Sequence, residues 1–310
     1  MRFQERDSQI LNAIQAYDGV IARRHLKAMF WPHTKHAKAL ERRLALLQRA
    51  GYISWPTQAQ RQTRPIPEPI VWLGWRGALH TAGLSGIAIE PPKSTGENQL
   101  RELARSLREN GFRWLREPRW IQLSHDLAVA DFRLAVEMEI TALPHLSLAE
   151  WIPEGAFLSA PDEIEYEVVG ERDRTKSVKR LIRPDSILVI ADASRKVNDT
   201  NLQRRFLLEL DMATHPRSRF WIDKVIPGEA YIYSPAYKAR FGYNSGRWLV
   251  VTTGPVRRDH LRDITARALG HDARVFLFST LTEATRPGVL TEPIWWVPVR
   301  REPVALFPKG

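Results

Sequence analysis

The chain has 310 residues, of which 44% are hydrophobic, so it is long and apolar enough to bury two cores. It contains no cysteine, which excludes disulfide bonds, thiolate zinc sites and cysteine nucleophiles. The net charge is +11, and the sequence shows no signal peptide, targeting tail or apolar run of about 18 residues, so we expect a cytoplasmic protein without a membrane partner.

The first 90 residues combine helical patterns with two strand patterns. Apolar residues recur at helical spacing in three short segments, and Gly51 ends the third. Two strand-like segments follow, separated by a segment rich in Gln, Arg and Pro. The predicted elements are helices at 7–16, 21–30 and 34–50, strands at 52–55 and 70–74, and an exposed hairpin tip at 56–69. This order predicts a winged helix-turn-helix domain over residues 1–90, with its third helix in the major groove of DNA.

Most of the positive charge lies in this predicted DNA-binding domain. Residues 1–90 contain 13 Lys and Arg against 6 Asp and Glu, whereas the remaining 220 residues contain 33 against 29. A basic domain with a docking motif is typical of proteins that bind double-stranded DNA, although such a charge run is also common on solvated faces. The side chains expected to contact DNA are Lys35, His36, Lys38, Arg42 and Arg43 on the third helix, Arg61 and Arg64 on the wing, and Arg76 after it.

A second domain is predicted after a proline-rich linker. Residues 91–97 combine two prolines, a glycine and polar side chains, and helical spacing resumes at Asn98. The predicted elements are helices at 98–109 and 124–143, strands at 146–152, 181–191 and 205–211, a charged loop or hairpin tip at 171–179, a helix that contains Trp221 and Lys224, a strand at 247–253, a helix at 259–269, and strands at 275–278 and 294–299. We therefore expect a domain over residues 98–310 in which helices flank a sheet.

Acidic residues on two of these strands suggest a metal site. Asp185 precedes one apolar strand pattern, and Glu209 and Asp211 lie two residues apart on the next, so period-two geometry places them on one face. Carboxylate oxygens gathered in one place suit Mg²⁺ or Mn²⁺, which we expect as the cofactor. Glu154, near the end of the first strand, is a candidate fourth ligand. The alternative is that these acids cap turns or pair with arginines.

The order of elements and acids resembles the core of the PD-(D/E)xK nucleases. The resemblance is carried by Pro184-Asp185, Glu209-Leu210-Asp211 and Lys224. At finer grain, four short motifs resemble the replication-relaxation family of plasmid and mobile-element proteins. They are Trp151-x-x-Glu154, Arg183-Pro184-Asp185, Leu208-Glu209-Leu210-Asp211-x-x-Thr214, and Lys224 with the tyrosines that follow it. The resemblance implies an α+β or α/β fold, with an N-terminal winged helix-turn-helix followed by a PD-(D/E)xK-like mixed sheet flanked by helices.

One position departs from the nuclease pattern. Asp211 stands where that pattern has a lysine, which orients the attacking water and stabilises charge on phosphorus. Lys224, on the following helix, is the candidate replacement. The catalytic set implied by the resemblance is therefore Asp185, Glu209, Asp211 and Lys224.

The sequence leaves two functions open. The first is a metal-dependent DNA endonuclease of plasmid or mobile-element DNA processing, either a monomer or a homodimer. The second is a non-catalytic DNA-binding replication accessory or transcriptional regulator with a degenerate nuclease fold. A nucleophile among Tyr231, Tyr233 and Tyr237 is a further alternative, but tyrosine relaxases use a clustered histidine metal site that this sequence lacks. Core packing is the expected role of these tyrosines.

Overall fold

The computed structural model describes residues 2–33, 38–169, 175–196, 202–213, 220–243 and 245–308. The chain packs into two compact units, Met1–Ala130 and Asp131–Gly310. No helix within the described ranges is long and apolar enough to cross a lipid bilayer.

The first unit consists mainly of helices around a small antiparallel sheet. Its elements are α1 (Glu5–Ala16), β1 (Val20–Ala22), α2 (Arg23–Phe30), α3 (Lys38–Arg49), β2 (Ile53–Ser54), α4 (Gln58–Thr63), β3 (Ile70–Leu73), α5 (Trp75–Leu84), α6 (Glu97–Glu109) and the first part of α7 (Leu123–Thr141). Strand β3 lies in the middle and pairs with β1 on one side and β2 on the other, both antiparallel. Helix α1 buries Ile10, Leu11 and Ile14, whose spacing places them on one face.

The segment predicted as an exposed hairpin tip, 56–69, contains a helix. It does join two antiparallel strands, as expected, but α4 forms within it. The Thr57 hydroxyl accepts a hydrogen bond from the Gln60 backbone N–H (3.2 Å), and the Gln60 side chain accepts one from the Thr57 backbone N–H (2.9 Å). This reciprocal capping stabilises the first turn of a helix in a Gln- and Arg-rich segment. Strand β1 and helix α5 were not predicted either.

Tryptophans beyond the predicted linker pack into the first unit. The Trp114 indole N–H donates a hydrogen bond to the Leu73 backbone oxygen (3.0 Å). The Trp120 ring meets the Trp72 ring edge-on, with 5.9 Å between centroids. Both Trp114 and Trp120 are buried. The first compact unit therefore extends to Ala130. The winged-helix assignment and its domain boundaries remain predictions.

The second unit contains a five-stranded mixed sheet flanked by helices, which confirms the predicted outline. Its elements, after the last part of α7, are β4 (Leu146–Pro153), α8 (Glu154–Ser159), β5 (Asp162–Val169), β6 (Thr175–Ile182), β7 (Ser186–Asp192), β8 (Gln203–Asp211), a π-helical turn (Trp221–Val225), α9 (Ile226–Ile232), α10 (Pro235–Phe241), β9 (Arg247–Thr252), α11 (Pro255–Leu269), a 3-10 turn (Gly270–Val275), β10 (Phe276–Thr280) and α12 (Leu281–Ala284). The strand order is β10-β9-β8-β7-β4. Strands β8, β9 and β10 are parallel, whereas β7 is antiparallel to both β8 and β4.

Two strand predictions for this unit are wrong. The segment 181–191 divides between β6 and β7, because Pro184 has no N–H with which to continue a ladder. Strand β6 instead pairs with β5 in a separate two-stranded sheet. The segment 294–299 forms only isolated bridges, because Pro293 before it and Pro298 within it have no N–H to donate to a longer ladder. Of the predicted loop 171–179, the last five residues begin β6, and the rest lies outside the described residues.

The core of the second unit is formed by residues of the sheet together with residues of the surrounding helices. Buried side chains of the sheet include Ile187, Leu207, Trp248, Val250 and Phe276, and those of the helical segments include Val225, Tyr231, Tyr237 and Leu261. The last six residues of β8 are all buried. The acids at the end of β8 therefore lie against packed protein rather than on an open loop.

Candidate active site at one edge of the mixed sheet

Asp185 and Glu209 lie side by side on neighbouring strands. Ser186 is opposite Leu208 in the β7–β8 pair, so the next position along this register places Asp185 beside Glu209. The backbone N–H of Asp185 donates to the Leu208 oxygen (2.9 Å), which continues the pairing. The Asp185 Oδ2 also accepts a hydrogen bond from the backbone N–H of Leu210 (2.6 Å). The main chain of β8 thus holds the Asp185 carboxylate in a defined orientation.

Glu154 belongs to the same edge of the sheet. Pro153 is opposite Ser186 in the β4–β7 pair, and continuing that register by one residue places Glu154 beside Asp185. Glu154 is the first residue of α8. The two registers, each extended by one residue, therefore place three acidic residues in a row at one end of the sheet: Glu154 just after β4, Asp185 just before β7, and Glu209 in β8.

Lys224 contacts the carboxylate of Glu209. Its Nζ lies 2.7 Å from Oε1 and 2.8 Å from Oε2, and it is carried by the π-helical turn after β8. Partial burial alone would lower the pKa of Lys224, but attraction to Glu209 and Asp185 outweighs this and raises it. Lys224 is therefore cationic at neutral pH. If Lys224 replaces the lysine that is missing from the strand, it must lie next to Glu209 and Asp185, as it does.

Asp211 has a different set of partners. Its Oδ1 accepts a hydrogen bond from Arg257 Nη2 (2.7 Å), and its Oδ2 accepts from Arg257 Nε and from the Thr252 hydroxyl (2.8 Å for the latter). Both charged side chains of this pair are nearly buried, at 7% and 9% exposure. The hydrogen bond to Asp211 raises the pKa of Arg257 more than burial lowers it. Asp211 is thus part of a buried bidentate ion pair.

The four predicted catalytic residues accordingly separate into two groups. Asp185, Glu209 and Lys224 lie together, whereas Asp211 is engaged by Arg257. Within the described ranges, no set of three or more His, Asp and Glu side chains is arranged to hold a metal ion. For Asp211, the alternative interpretation from the sequence, an acid paired with an arginine, describes what the structure contains.

Sequence patterns could have identified Arg257 as a buried residue. Helix α11 buries Arg257, Leu261 and Thr265, which follow one another at intervals of four residues. This spacing places Arg257 on the stripe that faces the core. An arginine on a buried stripe requires an acidic partner, but the sequence does not specify which acid it is.

Tyr231 and Tyr237 have structural positions, whereas Tyr233 is exposed, so the expected core packing holds for two of the three tyrosines. The Tyr231 hydroxyl donates to Asp162, which also receives a hydrogen bond from Arg240 Nε (2.6 Å). Tyr237 is buried and donates to the Ser245 backbone oxygen (2.9 Å). Burial is the main cause that raises the pKa of both Tyr231 and Tyr237, which disfavours the phenolate that a nucleophile needs.

Most of the predicted DNA contacts in the first unit are exposed. The exposed residues are Lys38 and Arg42 on α3, Arg61 on α4, Arg64 directly after it, and Arg76 on α5. Lys35 and His36 lie outside the described residues. The exposed cations are placed at the surface where a phosphate backbone could reach them.

Arg43 differs from its neighbours on α3. Its Nε donates to Oδ1 of Asp7 (2.6 Å), and Asp7 is fully buried. The hydrogen bond to Asp7 is the main cause that raises the pKa of Arg43. Arg43 therefore ties α3 to α1, a structural role that the sequence did not predict.

The chain matches no curated protein. The model of a family described as "Replication-relaxation" matches residues 15–240. This range contains Asp185, Glu209 and Lys224, together with most of the first unit. Since the match spans well over half of the 310 residues, the chain belongs to the replication-relaxation family.

Proposed function

We propose that the protein is a metal-dependent DNA endonuclease of plasmid or mobile-element DNA processing. The observation that carries the proposal is the contact of Lys224 with Glu209, beside Asp185. Two carboxylates and a lysine at one sheet edge form the set of groups that metal-dependent phosphodiester hydrolysis uses. Membership of the replication-relaxation family supports the DNA-processing role.

The donor set at this edge suits a hard divalent cation. Asp185 and Glu209 would hold Mg²⁺ or Mn²⁺ through carboxylate oxygens, with Glu154 as a further candidate. Mg²⁺ is often bound by one or two carboxylates, with water and substrate phosphate as the remaining ligands, so a third protein carboxylate is not required. When bound, such an ion polarises a phosphoryl oxygen and lowers the pKa of water.

The chain's own residues have distinct roles in this proposal. Asp185 is oriented by the Leu210 N–H, so its carboxylate is preorganised before any ligand arrives. Lys224 is protonated at neutral pH, because its pKa is raised, and it therefore stabilises negative charge on the phosphate rather than accepting a proton. Asp211 contributes through the fold, since its charge is already neutralised by Arg257.

The first unit supplies the DNA-binding surface in this proposal. Residues 1–130 contain 20 Lys and Arg against 11 Asp and Glu, a surplus of 9, whereas residues 131–310 contain 26 against 24, a surplus of 2. Such a concentration of positive charge favours a polyanionic partner. If about six phosphates are contacted, affinity for double-stranded DNA should fall by roughly three orders of magnitude between about 50 and 200 mM salt.

Incubation with supercoiled plasmid tests the proposed activity. We expect nicking or linearisation with Mg²⁺ or Mn²⁺ and none with EDTA. Lys224→Met should lower the cleavage rate by about 100-fold or more, since it removes a charge-stabilising group. Lys238→Met is the matched control, because Lys238 is an exposed lysine of α10 outside the site. Cleavage that persists in EDTA, or that is equal in the two variants, would contradict the assignment.

A non-catalytic DNA-binding protein is the second candidate function. It is favoured by the Asp211–Arg257 pair, which removes one carboxylate from the predicted metal site. This candidate predicts salt-sensitive DNA binding with no cleavage at any divalent metal concentration. The same plasmid assay, combined with a binding measurement, separates the two functions.

A further inference from the structure

A pocket of about 290 Å³ lies in the first unit, between the start of α2 and the segment that joins β2 to β3. Two arginines line it: Arg23, the first residue of α2, and Arg61, on α4. The apolar part of its wall is formed by Pro56, Ile66 and Pro69. This volume is at the lower end of the range for ligand pockets, so a molecule of mononucleotide size or smaller fits.

The guanidinium of Arg23 is held in place but is incompletely hydrogen-bonded. It lies over the Trp55 ring, with 4.9 Å between Cζ and the ring centroid. The Arg23 backbone N–H donates to the Pro69 oxygen (2.9 Å), which anchors the start of α2. The side-chain Nε is buried, and among the described residues it has no hydrogen-bond partner. A ligand oxygen that accepts from this N–H would remove the cost of an unpaired buried donor.

The positive charges of the two pocket arginines are only partly compensated by nearby carboxylates. Burial and repulsion from Arg61 lower the pKa of Arg23, and Glu41 opposes this only in part. Glu68 also lines the pocket, but Arg24 Nε already contacts both of its carboxylate oxygens (2.8 and 3.0 Å). Within the described ranges, neither Arg23 nor Arg61 forms an ion pair with a carboxylate. The pocket therefore presents two cations and one carboxylate that is already paired.

We propose that this pocket binds a terminal phosphate, that is, a phosphate monoester. A monoester carries about −1.5 to −2 charges near pH 7, which matches two guanidinium groups better than a singly charged carboxylate or phosphodiester does. The planar donors of arginine also suit phosphate oxygens. The phosphate belongs either to the 5′ end of a DNA strand or to a free mononucleotide. Only the first source rests on the proposed DNA-processing function.

Binding to the full chain tests the preference for a monoester. The probes are AMP and adenosine, and one oligonucleotide with either a 5′ phosphate or a 5′ hydroxyl, all measured by calorimetry at fixed salt. We expect AMP to bind and adenosine not to bind detectably. If DNA is the source, the 5′-phosphorylated oligonucleotide should bind at least about tenfold more tightly than the 5′-hydroxyl one, as expected for a charge-assisted hydrogen bond.

Charge-matched variants assign the effect to the pocket. Arg23→Gln and Arg61→Gln should each weaken AMP binding by about tenfold or more. Arg49→Gln removes the same charge from an exposed residue of α3 outside the pocket and outside the predicted DNA contacts, and it should change AMP binding by no more than about twofold. Glu68→Gln should tighten binding, because it removes the negative charge from the wall. Arg23→Lys keeps the positive charge but lacks the planar donors of the guanidinium, so it separates loss of phosphate recognition from a folding defect. Melting curves check that each variant is folded.

Each outcome decides between the two proposals. Equal binding of AMP and adenosine, or equal losses in Arg23→Gln and Arg49→Gln, would overturn the phosphate pocket while leaving the endonuclease proposal intact. Conversely, AMP binding without any oligonucleotide binding would assign the pocket to a free mononucleotide and would count against the DNA-processing function. A preference for the 5′-phosphorylated strand would support both proposals.

Discussion

Glu209 and Asp211 lie two residues apart at the end of one strand, yet they have different surroundings. Glu209 contacts Lys224, whose side chain is 41% exposed. Asp211 accepts hydrogen bonds from Nε and Nη2 of Arg257, and the Arg257 side chain is only 9% exposed. Strand alternation assigns both acids to one face. Elements that pack against the strand therefore decide which cation each acid meets.

The comparison separates a structural ion pair from one that is available for chemistry. A buried bidentate pair is costly to disrupt, because the remaining charge has no solvent and no partner. The Glu209 carboxylate is buried as well, but its partner Lys224 is partly exposed, and an ion pair with one solvated member contributes less to stability than a fully buried pair. Lys224 can therefore turn from Glu209 to a ligand at a smaller cost than Arg257 can leave Asp211.

The largest expected effect comes from disrupting the buried pair. Arg257→Met leaves Asp211 buried without its cation, so the free energy of unfolding should fall by about 3–5 kcal/mol. Denaturant unfolding measures this loss. The matched control is Arg267→Met, on an exposed position of the same helix, with an expected change within about 0.5 kcal/mol.

A double variant tests whether the lost stability comes from the uncompensated charge of Asp211. Asp211→Leu combined with Arg257→Met removes both charges, and apolar replacement of a buried pair is often neutral or stabilising. We therefore expect the double variant to recover most of the stability lost in Arg257→Met. If the single Arg257→Met variant unfolds like the wild type, the Asp211–Arg257 pair does not stabilise the fold.

The second prediction concerns metal binding at Glu209. Mn²⁺ at about 100 times its Kd should stabilise the protein by about 2.7 kcal/mol, measured as a rise in melting temperature. Glu209→Gln should remove most of this gain. Asp185→Asn should do so as well, because an amide oxygen can still accept from the Leu210 N–H but carries no charge for the cation.

The control for metal binding is Arg257→Met, which disrupts the ion pair of Asp211. Arg257→Met lowers the starting stability but leaves Asp185 and Glu209 intact, so it should retain the increment due to Mn²⁺. If Mn²⁺ no longer stabilises Arg257→Met but still stabilises Glu209→Gln, the metal site would have to be assigned to Asp211 instead of Glu209. Flat melting curves for the wild type would favour the non-catalytic DNA-binding function.

Local sequence patterns predicted the strands of the five-stranded sheet, but they missed β1, β5 and most of β6 and did not predict the partners of the side chains. The apolar runs at β7, β8 and β9 were sufficient to predict the sheet, because buried strands require apolar side chains on both faces. The contact of Asp211 with Arg257 was not predictable in this way. It joins residues 46 positions apart, and no local propensity encodes such a distance.

The nuclease resemblance was more informative about Lys224 than about Asp211. It implied that a lysine on the helix after β8 replaces the missing strand lysine, and Lys224 does lie at the Glu209 carboxylate. Strand alternation then grouped Asp211 with the same acids. Alternation specifies a face of the sheet but not the packing of α11, so it could not exclude an arginine from that helix.

The smallest expected effect is the coupling between Glu209 and Lys224. A double-mutant cycle of Glu209→Gln and Lys224→Met measures the interaction free energy of the pair by denaturant unfolding. Because Lys224 is 41% exposed, this coupling should be no more than about 1 kcal/mol. Lys224→Met should at the same time strongly reduce plasmid cleavage, so its effects on activity and stability should separate. A coupling of about 3 kcal/mol or more, comparable to that of a buried pair, would mean that Lys224 is structural like Arg257 and would remove the distinction between the two acids.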